Sequence, residues 1–188
     1  MKRVFILLTC FSFICFNTYA QFPDQSASIK IGTGYVQDFP GLGGYGVTGE
    51  LALAMSEKLQ GAFGLKHLNM QGYPRTNQAK EYTKANTLDF TLFYLPLHTE
   101  TSIIRAGLGY SFSFYTMRRT YPVITTNGTH TQTDWPVSDA KSKTSGLTFI
   151  GEYEYLFANS NLSLGARVAS YKAYDRVFFV GPFAAIRL

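Results

Sequence analysis

The sequence predicts an all-β fold, an eight-stranded antiparallel up-and-down transmembrane β-barrel. Three observations lead to this prediction. Apolar and polar residues alternate with a period of two through nearly all of the chain after residue 20. Only 15% of the residues are charged and 16% are aromatic, whereas a soluble domain carries about 25% charged residues. Finally, the connections between the alternating segments include tight turns at every second position, as in a membrane barrel.

Residues 1–20 are expected to be a cleavable secretory signal. Lys2 and Arg3 precede an apolar run over residues 4–16, which is too short to span a membrane as a helix, and small residues follow it. An uncleaved anchor is the alternative. Both cysteines lie in this segment, so the mature chain, residues 21–188, is expected to be one barrel domain without disulfides or thiol chemistry.

Eight alternating segments are each long enough to cross a bilayer at a tilt. The connections after the second, fourth and sixth segments are tight, and those after the third and fifth are long, the longest running from Thr116 to Thr144. A membrane barrel has short periplasmic turns and longer outer loops, so both termini are expected in the periplasm. The predicted strands are 27–37, 44–55, 59–70, 84–97, 102–115, 145–156, 162–171 and 177–188.

The two faces of the predicted strands differ in the size of their side chains. In the fifth strand Ile104, Leu108 and Phe112 share one face, and Gly107 and Ser111 share the other. Glycine, serine and alanine suit a crowded lumen better than a solvated surface. The apolar face carries large aromatic residues toward the strand ends, where interfacial girdles lie. We therefore expect the apolar face to meet lipid.

Nine charged residues are expected inside the barrel, five basic and four acidic. The interior of an eight-stranded barrel is just wide enough for side chains to fill, and an isolated buried charge costs several kcal/mol. The near balance of signs therefore predicts an ion-pair network that plugs the lumen. The alternatives are that single members lie at strand ends in water, or that they form a proton or ion path. The nine residues are Lys30, Glu50, Lys66, Asp89, Arg105, Glu152, Glu154, Arg167 and Arg187.

Over residues 21–188 the chain resembles the small outer-membrane β-barrel superfamily, which includes the transmembrane domain of outer-membrane protein A and the outer-membrane proteins X and W. The resemblance rests on the signal segment, the eight segments with their connections, and a last strand that runs to the C-terminus. It implies an outer-membrane location, contact with membrane lipid, and recognition of the strand ending at Leu188 by the barrel-assembly machinery. The family usually ends in Phe, so Leu188 is a departure. Its members include anchors, adhesins, channels and lipid A-modifying enzymes, and the fold does not choose among them.

The motifs of enzyme chemistry are weak in this sequence. Residues 41–46 match a dinucleotide fingerprint by letter, but no helix follows them, so a loop is the better interpretation. His67, His98 and His130 have no metal-ligand spacing, and the spacing places no serine or carboxylate beside His67 for a lipid A deacylase. We therefore predict a protein that is not an enzyme, with no catalytic residue, cofactor or metal.

The loop from Thr116 to Thr144 is the expected place of any specificity. Exposed aromatic and arginine side chains on a loop can bind a partner or a surface glycan, and the alternative is a solvated loop that packs on itself. The net charge of +5, of which Lys2 and Arg3 supply two, is too small to indicate nucleic acid. The possible contact residues are Arg118, Arg119, Tyr121 and Trp135.

The predicted function is therefore a non-enzymatic outer-membrane barrel, expected as a monomer, with a structural role in the envelope or a surface-contact role through its outer loops. A narrow channel for small or hydrophobic solutes is the first alternative, and a lipid A-modifying enzyme is the second. A soluble lipocalin-like carrier is the main alternative fold.

Overall fold

The computed structural model describes residues 27–72, 80–120, 123–127, 130–134, 136–172 and 175–188. Ten strands are present in these ranges, and eight of them close into a barrel. The strands are β1 (Ala27–Asp38), β2 (Gly43–Ser56), β3 (Leu59–Gly72), β4 (Glu81–His98), β5 (Ser102–Thr120), β6 (Val123–Asn127), β7 (His130–Asp134), β8 (Val137–Leu156), β9 (Leu162–Lys172) and β10 (Arg176–Arg187).

Each barrel strand runs antiparallel to both neighbours, and β1 closes the ring by pairing with β10. β6 and β7 form a separate hairpin between β5 and β8, which therefore pair directly. Following paired residues around the ring from Ser28 leads back to Asp38, ten residues further along β1. This offset corresponds to a strand tilt of about 40°. The predicted all-β, eight-stranded antiparallel barrel is confirmed.

The predicted loop from Thr116 to Thr144 was wrong in extent. β5 continues to Thr120 and β8 begins at Val137, so the two strands stay paired along this stretch. The alternation of large apolar residues stops near Phe114 because the later residues of the ladder lie beyond the apolar belt. Main-chain hydrogen bonds and strand-favouring threonines maintain the strands without that alternation.

The barrel has two unlike ends. The turn end carries the three tight connections, residues 57–58, 99–101 and 157–161, together with the first and last described residues. The Leu188 amide donates there to the Ala27 carbonyl at 2.9 Å. The hairpin end carries the extended β5–β8 ladder and the β6–β7 hairpin.

The outward face of the barrel is a continuous apolar belt. Leu108 and Val168, in mid-strand, expose 55% and 57% of their surface. Such a surface far exceeds the apolar patches that soluble monomers expose. Among the described residues, no helix is long and apolar enough to cross a membrane. Aromatic residues edge the belt at both ends: Tyr94, Tyr153 and Tyr155 toward the turn end, and Tyr35, Tyr45, Phe112 and Phe114 toward the hairpin end.

The seam between β1 and β10 depends on two facing glycines. Gly34 and Gly181 lie so close that a Cβ on Gly181 would overlap the Thr33 carbonyl, and a Cβ on Gly34 would overlap the Val180 carbonyl. The next residue, Pro182, lacks an N–H to donate across the ladder. The β1–β10 pairing is accordingly interrupted at residues 33–34 and 181–182, where the two glycine backbones approach closely.

Candidate functional site

Glu152 on β8 lies at the centre of an ion-pair network in the lumen. Its Oε2 accepts hydrogen bonds from Lys30 Nζ at 2.7 Å and from Arg105 Nη1 at 2.9 Å. Its Oε1 accepts from Arg167 Nε at 2.7 Å. All four side chains are at most 3% exposed. Strand alternation accounts for the convergence, since β1, β5, β8 and β9 each direct these positions inward.

Two further carboxylates complete this network. Glu50 Oε1 lies 3.0 Å from Lys30 Nζ, and Glu50 Oε2 accepts from Arg167 Nη2 at 2.7 Å. Glu154 contacts Arg105 and accepts a hydrogen bond from the Ser163 hydroxyl. We call these six residues the central network, and its three cations balance its three carboxylates. Its members are Lys30, Glu50, Arg105, Glu152, Glu154 and Arg167.

A second ion pair lies nearer the hairpin end. Lys66 on β3 contacts the carboxylate of Asp89 on β4, and Lys66 Nζ lies 4.4 Å from the centre of the Tyr171 ring. Beyond this pair along β3, the inward side chains are the buried apolar Leu68 and Met70. From the central network toward the hairpin end, the lumen is thus filled first by charged groups and then by apolar side chains.

Arg187, the ninth residue expected inside, lies at the turn-end mouth. It is half-buried, and its Nη2 donates to the Ser160 carbonyl at 3.2 Å. Together with Ser28 and Gln60 it lines a cavity of about 190 Å³, which Arg105 of the central network also borders. Of the nine residues expected in the lumen network, eight form ion pairs there and Arg187 lies at the mouth.

Arg119 is not an exposed loop residue, and this part of the prediction was wrong. It lies on β5, is 3% exposed, and its guanidinium donates to Asp38 Oδ2 at 3.1 Å, Glu81 Oε2 at 3.3 Å and Thr83 Oγ1 at 3.1 Å. Because β5 continues past Thr116, the alternation directs Arg119 into the barrel mouth. We call Asp38, Glu81, Thr83, Arg119 and Thr120 the mouth cluster.

The carboxylate of Glu81 receives most of the hydrogen bonds in the mouth cluster. The Thr120 amide donates to Glu81 Oε1 at 3.1 Å, and the Thr120 hydroxyl contacts the same oxygen. Burial raises the pKa of Glu81, but the hydrogen bonds from Thr120 and Arg119 outweigh it and hold the pKa below its ordinary value. Asp38 and Glu81 were missed because the predicted first strand ended one residue too early and the predicted fourth strand began three residues too late. Extending the inward alternation to these two strand ends would have found them.

Arg118 points outward from the same ladder and is paired across it. Its Nε and Nη2 each donate to the Asp139 carboxylate at 2.8 Å, and the guanidinium lies 5.3 Å from the centre of the Tyr82 ring. These hydrogen bonds lower the pKa of Asp139. Tyr121 and Trp135, the other two predicted contact residues, lie outside the described residues.

Three lysines form a basic band on the outward face just beyond the apolar belt. Lys84 on β4 and Lys141 on β8 both pair in register with Thr116 on β5. Lys143 lies two residues from Lys141, with its Nζ 5.4 Å from the centre of the Phe114 ring. The basic band is defined as Lys84, Lys141 and Lys143, and all three are exposed.

The two histidines whose side chains are described lie in different parts of the barrel. His67 Nδ1 lies 2.8 Å from Asn86 Oδ1 on the outward face, and His98 ends β4 at the turn end. The side chain of His130 lies outside the part of the chain that the structure describes. Within the described residues no three His, Cys, Asp or Glu side chains cluster as metal ligands would.

No protein-family model matches the chain, and no curated protein sequence matches it. Several solved structures do match it. The chain is 12% identical to Ail, the attachment invasion locus protein of Yersinia pestis, which was crystallised in complex with the heparin analogue sucrose octasulfate. The match covers 87% of this chain and 99% of that one, with a TM-score of 0.52. It is also 12% identical to Neisserial surface protein A, over 86% of this chain and 96% of that one, with a TM-score of 0.50.

The chain has the fold of the small outer-membrane β-barrels. This confirms the architecture that the sequence resemblance implied. The closed ring, the outward apolar belt and the charged lumen are the features of this chain that correspond to such a fold.

Proposed function

We propose that the protein is a non-enzymatic integral protein of the outer membrane, monomeric, and closed through its lumen. The apolar belt supports a membrane location, because side chains such as Leu108 and Val168 would otherwise lie in water. The central network supports a closed lumen and disfavours a channel, because its six side chains contact one another across the interior.

The orientation we propose has the turn end in the periplasm and the hairpin end outside the cell, as in barrels with short periplasmic turns. The observation that carries the function is the β5–β8 ladder, which continues past the apolar belt as far as the pair Thr120 and Val137. It would stand above the membrane as part of a sheet that includes β4, which pairs with β5 as far as Arg118, and would serve as a surface for contact. Ail, the attachment invasion locus protein, and Neisserial surface protein A share the fold, which fits a role at the surface.

Single cysteines test this placement, because the predicted mature chain contains none. Lys141→Cys should react with a membrane-impermeant maleimide on intact cells. Glu57→Cys, in a tight turn at the other end, should react only after the outer membrane is opened. If Glu57→Cys is labelled on intact cells and Lys141→Cys is not, the orientation is the reverse of the one proposed. Recovery of the protein in the soluble periplasmic fraction would refute the membrane location.

Export and assembly are separate parts of the proposal. N-terminal sequencing of the membrane-inserted protein should begin at Gln21 if residues 1–20 are a cleaved signal. Deleting Leu188 should slow insertion by the assembly machinery, while Leu188→Phe should preserve it. If the unmodified protein, the Leu188 deletion and Leu188→Phe insert equally fast, Leu188 has no role in assembly.

A further inference from the structure

A small cavity lies at the turn end of the lumen, between the central network and the tight connections. Its volume is about 190 Å³. Arg105 and Ser28 line its inner wall, while Glu57 and His98, which are exposed, lie on its rim. The cavity therefore opens at the turn end and is closed by the central network. A space of this size holds at least about six water molecules, and so it admits a solute of about six non-hydrogen atoms.

The inner wall has hydrogen-bond donors that no described group uses. Arg105 is 4% exposed; its Nη1 donates to Glu152 and its Nη2 contacts Glu154, but its Nε has no hydrogen-bond partner among the described residues. The hydroxyl of Ser28, which is 5% exposed, has none there either. The same holds for Gln60 Oε1, and rotating that amide by half a turn presents N–H donors instead. Because buried polar groups are normally hydrogen-bonded, these atoms indicate a ligand that accepts hydrogen bonds.

The carboxylates near the cavity do not oppose an anionic ligand strongly. The oxygens of Glu154 already contact the Ser163 hydroxyl and Arg105. Glu57 is exposed on the rim, where solvent and salt screen its charge. Arg187 adds a second guanidinium to the wall. The cavity therefore offers its donors to an anion more readily than it offers carboxylates to a cation.

The remaining wall of the cavity is mostly apolar. Leu95 and Ile103 are buried and, together with Ala54, line it. Ile103 lies two residues nearer the turn end than Arg105 on β5, and Ala54 lies two residues nearer the turn end than the β2 partner of Ser28. The unpartnered donors thus lie inward of the apolar side chains. Apolar walls with a few polar groups that orient the ligand are typical of a small-molecule site.

We propose that this cavity binds a short-chain monocarboxylate of about the size of butyrate. Its carboxylate accepts hydrogen bonds from the Arg105 Nε–H and the Ser28 hydroxyl, and its alkyl chain lies between Ala54, Leu95 and Ile103. Inorganic phosphate fits less well, because its charged oxygens would meet the apolar walls without hydrogen bonds. In the orientation proposed above the ligand enters from the periplasm, but the binding itself does not depend on that orientation.

The test uses the purified, ¹⁵N-labelled barrel in detergent micelles, with the assigned arginine Nε–H resonances followed by NMR. Sodium butyrate replaces sodium chloride stepwise, so that the ionic strength stays constant. The Arg105 Nε–H resonance should shift and saturate. Acetate should bind about tenfold more weakly, because it lacks two methylene groups that the apolar walls would bury. If 1-butanol or inorganic phosphate gives the same shift with the same affinity as butyrate, the inference fails, and this comparison needs no variant.

Two variants test the place of binding. Ser28→Ala removes a hydroxyl that donates to the carboxylate and should weaken butyrate binding about tenfold. Ala54→Leu fills part of the cavity and should weaken binding at least about tenfold. Ser111→Ala is the matched control, because Ser111 is equally buried in the lumen but its hydroxyl donates to the Gly146 carbonyl, away from the cavity. It should bind butyrate as the unmodified protein does.

The variants can overturn the inference in two ways. If Ser28→Ala and Ala54→Leu both bind butyrate as tightly as the unmodified protein, the ligand lies elsewhere, on the apolar belt or in the micelle. If Ser111→Ala weakens binding as much as Ser28→Ala, the loss does not come from the cavity donors.

Discussion

Replacing Arg105 with leucine removes a guanidinium that contacts two carboxylates in the lumen. Glu152 would keep its hydrogen bonds from Lys30 and Arg167, while Glu154 would keep the Ser163 hydroxyl. The central network would change from neutral to a net charge of −1 at a site where side chains are at most 4% exposed. Breaking a buried pair by removing one partner costs about 3–5 kcal/mol, so Arg105→Leu should lower the free energy of unfolding by that amount.

A second substitution separates lost charge pairing from lost packing. Adding Glu154→Leu to Arg105→Leu restores a neutral network. Its two remaining carboxylates, Glu50 and Glu152, each contact the two remaining cations, which are Lys30 and Arg167. Replacing a whole buried pair by apolar side chains is often neutral or stabilising. The double variant should therefore recover most of the stability lost in Arg105→Leu, and the difference measures the coupling between the two residues.

Urea titration of the barrel in lipid, with folded and unfolded forms resolved on a cold gel, gives the free energy of unfolding. Arg118→Leu is the control, since its pair with Asp139 is exposed and screened by solvent, and removing one partner of an exposed pair costs less than removing one partner of a buried pair. Two results would refute the argument. One is a loss in Arg105→Leu no larger than in Arg118→Leu, and the other is a double variant no more stable than the single one.

Three further predictions concern the seam, the mouth cluster and the lumen. Gly181→Ala should destabilise the barrel by about 1–3 kcal/mol, because its new Cβ meets the Thr33 carbonyl. Gly49→Ala is the control and should not destabilise the barrel, because its new Cβ meets open space. Equal urea midpoints for the two variants would contradict this prediction. The pKa of Glu81 in the folded protein lies below its ordinary value of 4.5. The stability that the Glu81 carboxylate contributes to the fold is therefore complete above pH 4.5 and is lost as the pH falls through the pKa of the folded state. Exchange of the Thr120 amide should accelerate in acid beyond the trend of Glu81→Gln, and parallel profiles would count against it. Planar-bilayer recordings should show no steps of porin size, and frequent large steps would mean an open lumen.

The barrel was predictable because every strand repeats the same two-residue alternation. The eight predicted segments correspond to the eight barrel strands, and the inward parity of the fifth, sixth and seventh placed Arg105, Glu152 and Arg167 on the lumen side. What the parity could not give is the partner of each charge. A pair between neighbouring strands, such as Arg105 and Glu152, depends on the register of those two strands. A pair across the lumen, such as Lys30 and Glu152, depends also on the offset of ten residues around the ring, which is known only from the registers of all the strand pairs.

The strand ends at the hairpin end were less predictable for a physical reason. Alternation is visible in a sequence where one face meets lipid and the other meets the lumen. Beyond Phe114 the outward face of the β5–β8 ladder carries polar residues, such as Thr116 and Lys141, so the contrast between the two faces disappears although the main-chain pairing continues. The sequence therefore predicted a loop at the place where the structure forms a sheet.

The mouth cluster holds the far end of this sheet, which bears on its order. Arg119 joins β5 to Asp38 on β1 and to Glu81 on β4, and its neighbour Thr120 forms the last pair of the β5–β8 ladder, with Val137. Removing one partner of a buried ion pair leaves the other charge unpaired. Arg119→Leu should therefore loosen the end of the ladder, and hydrogen exchange of the main-chain amides near Ser138 should accelerate while exchange in mid-barrel is unchanged. Equal exchange near Ser138 in both proteins would mean that the mouth cluster does not hold the ladder.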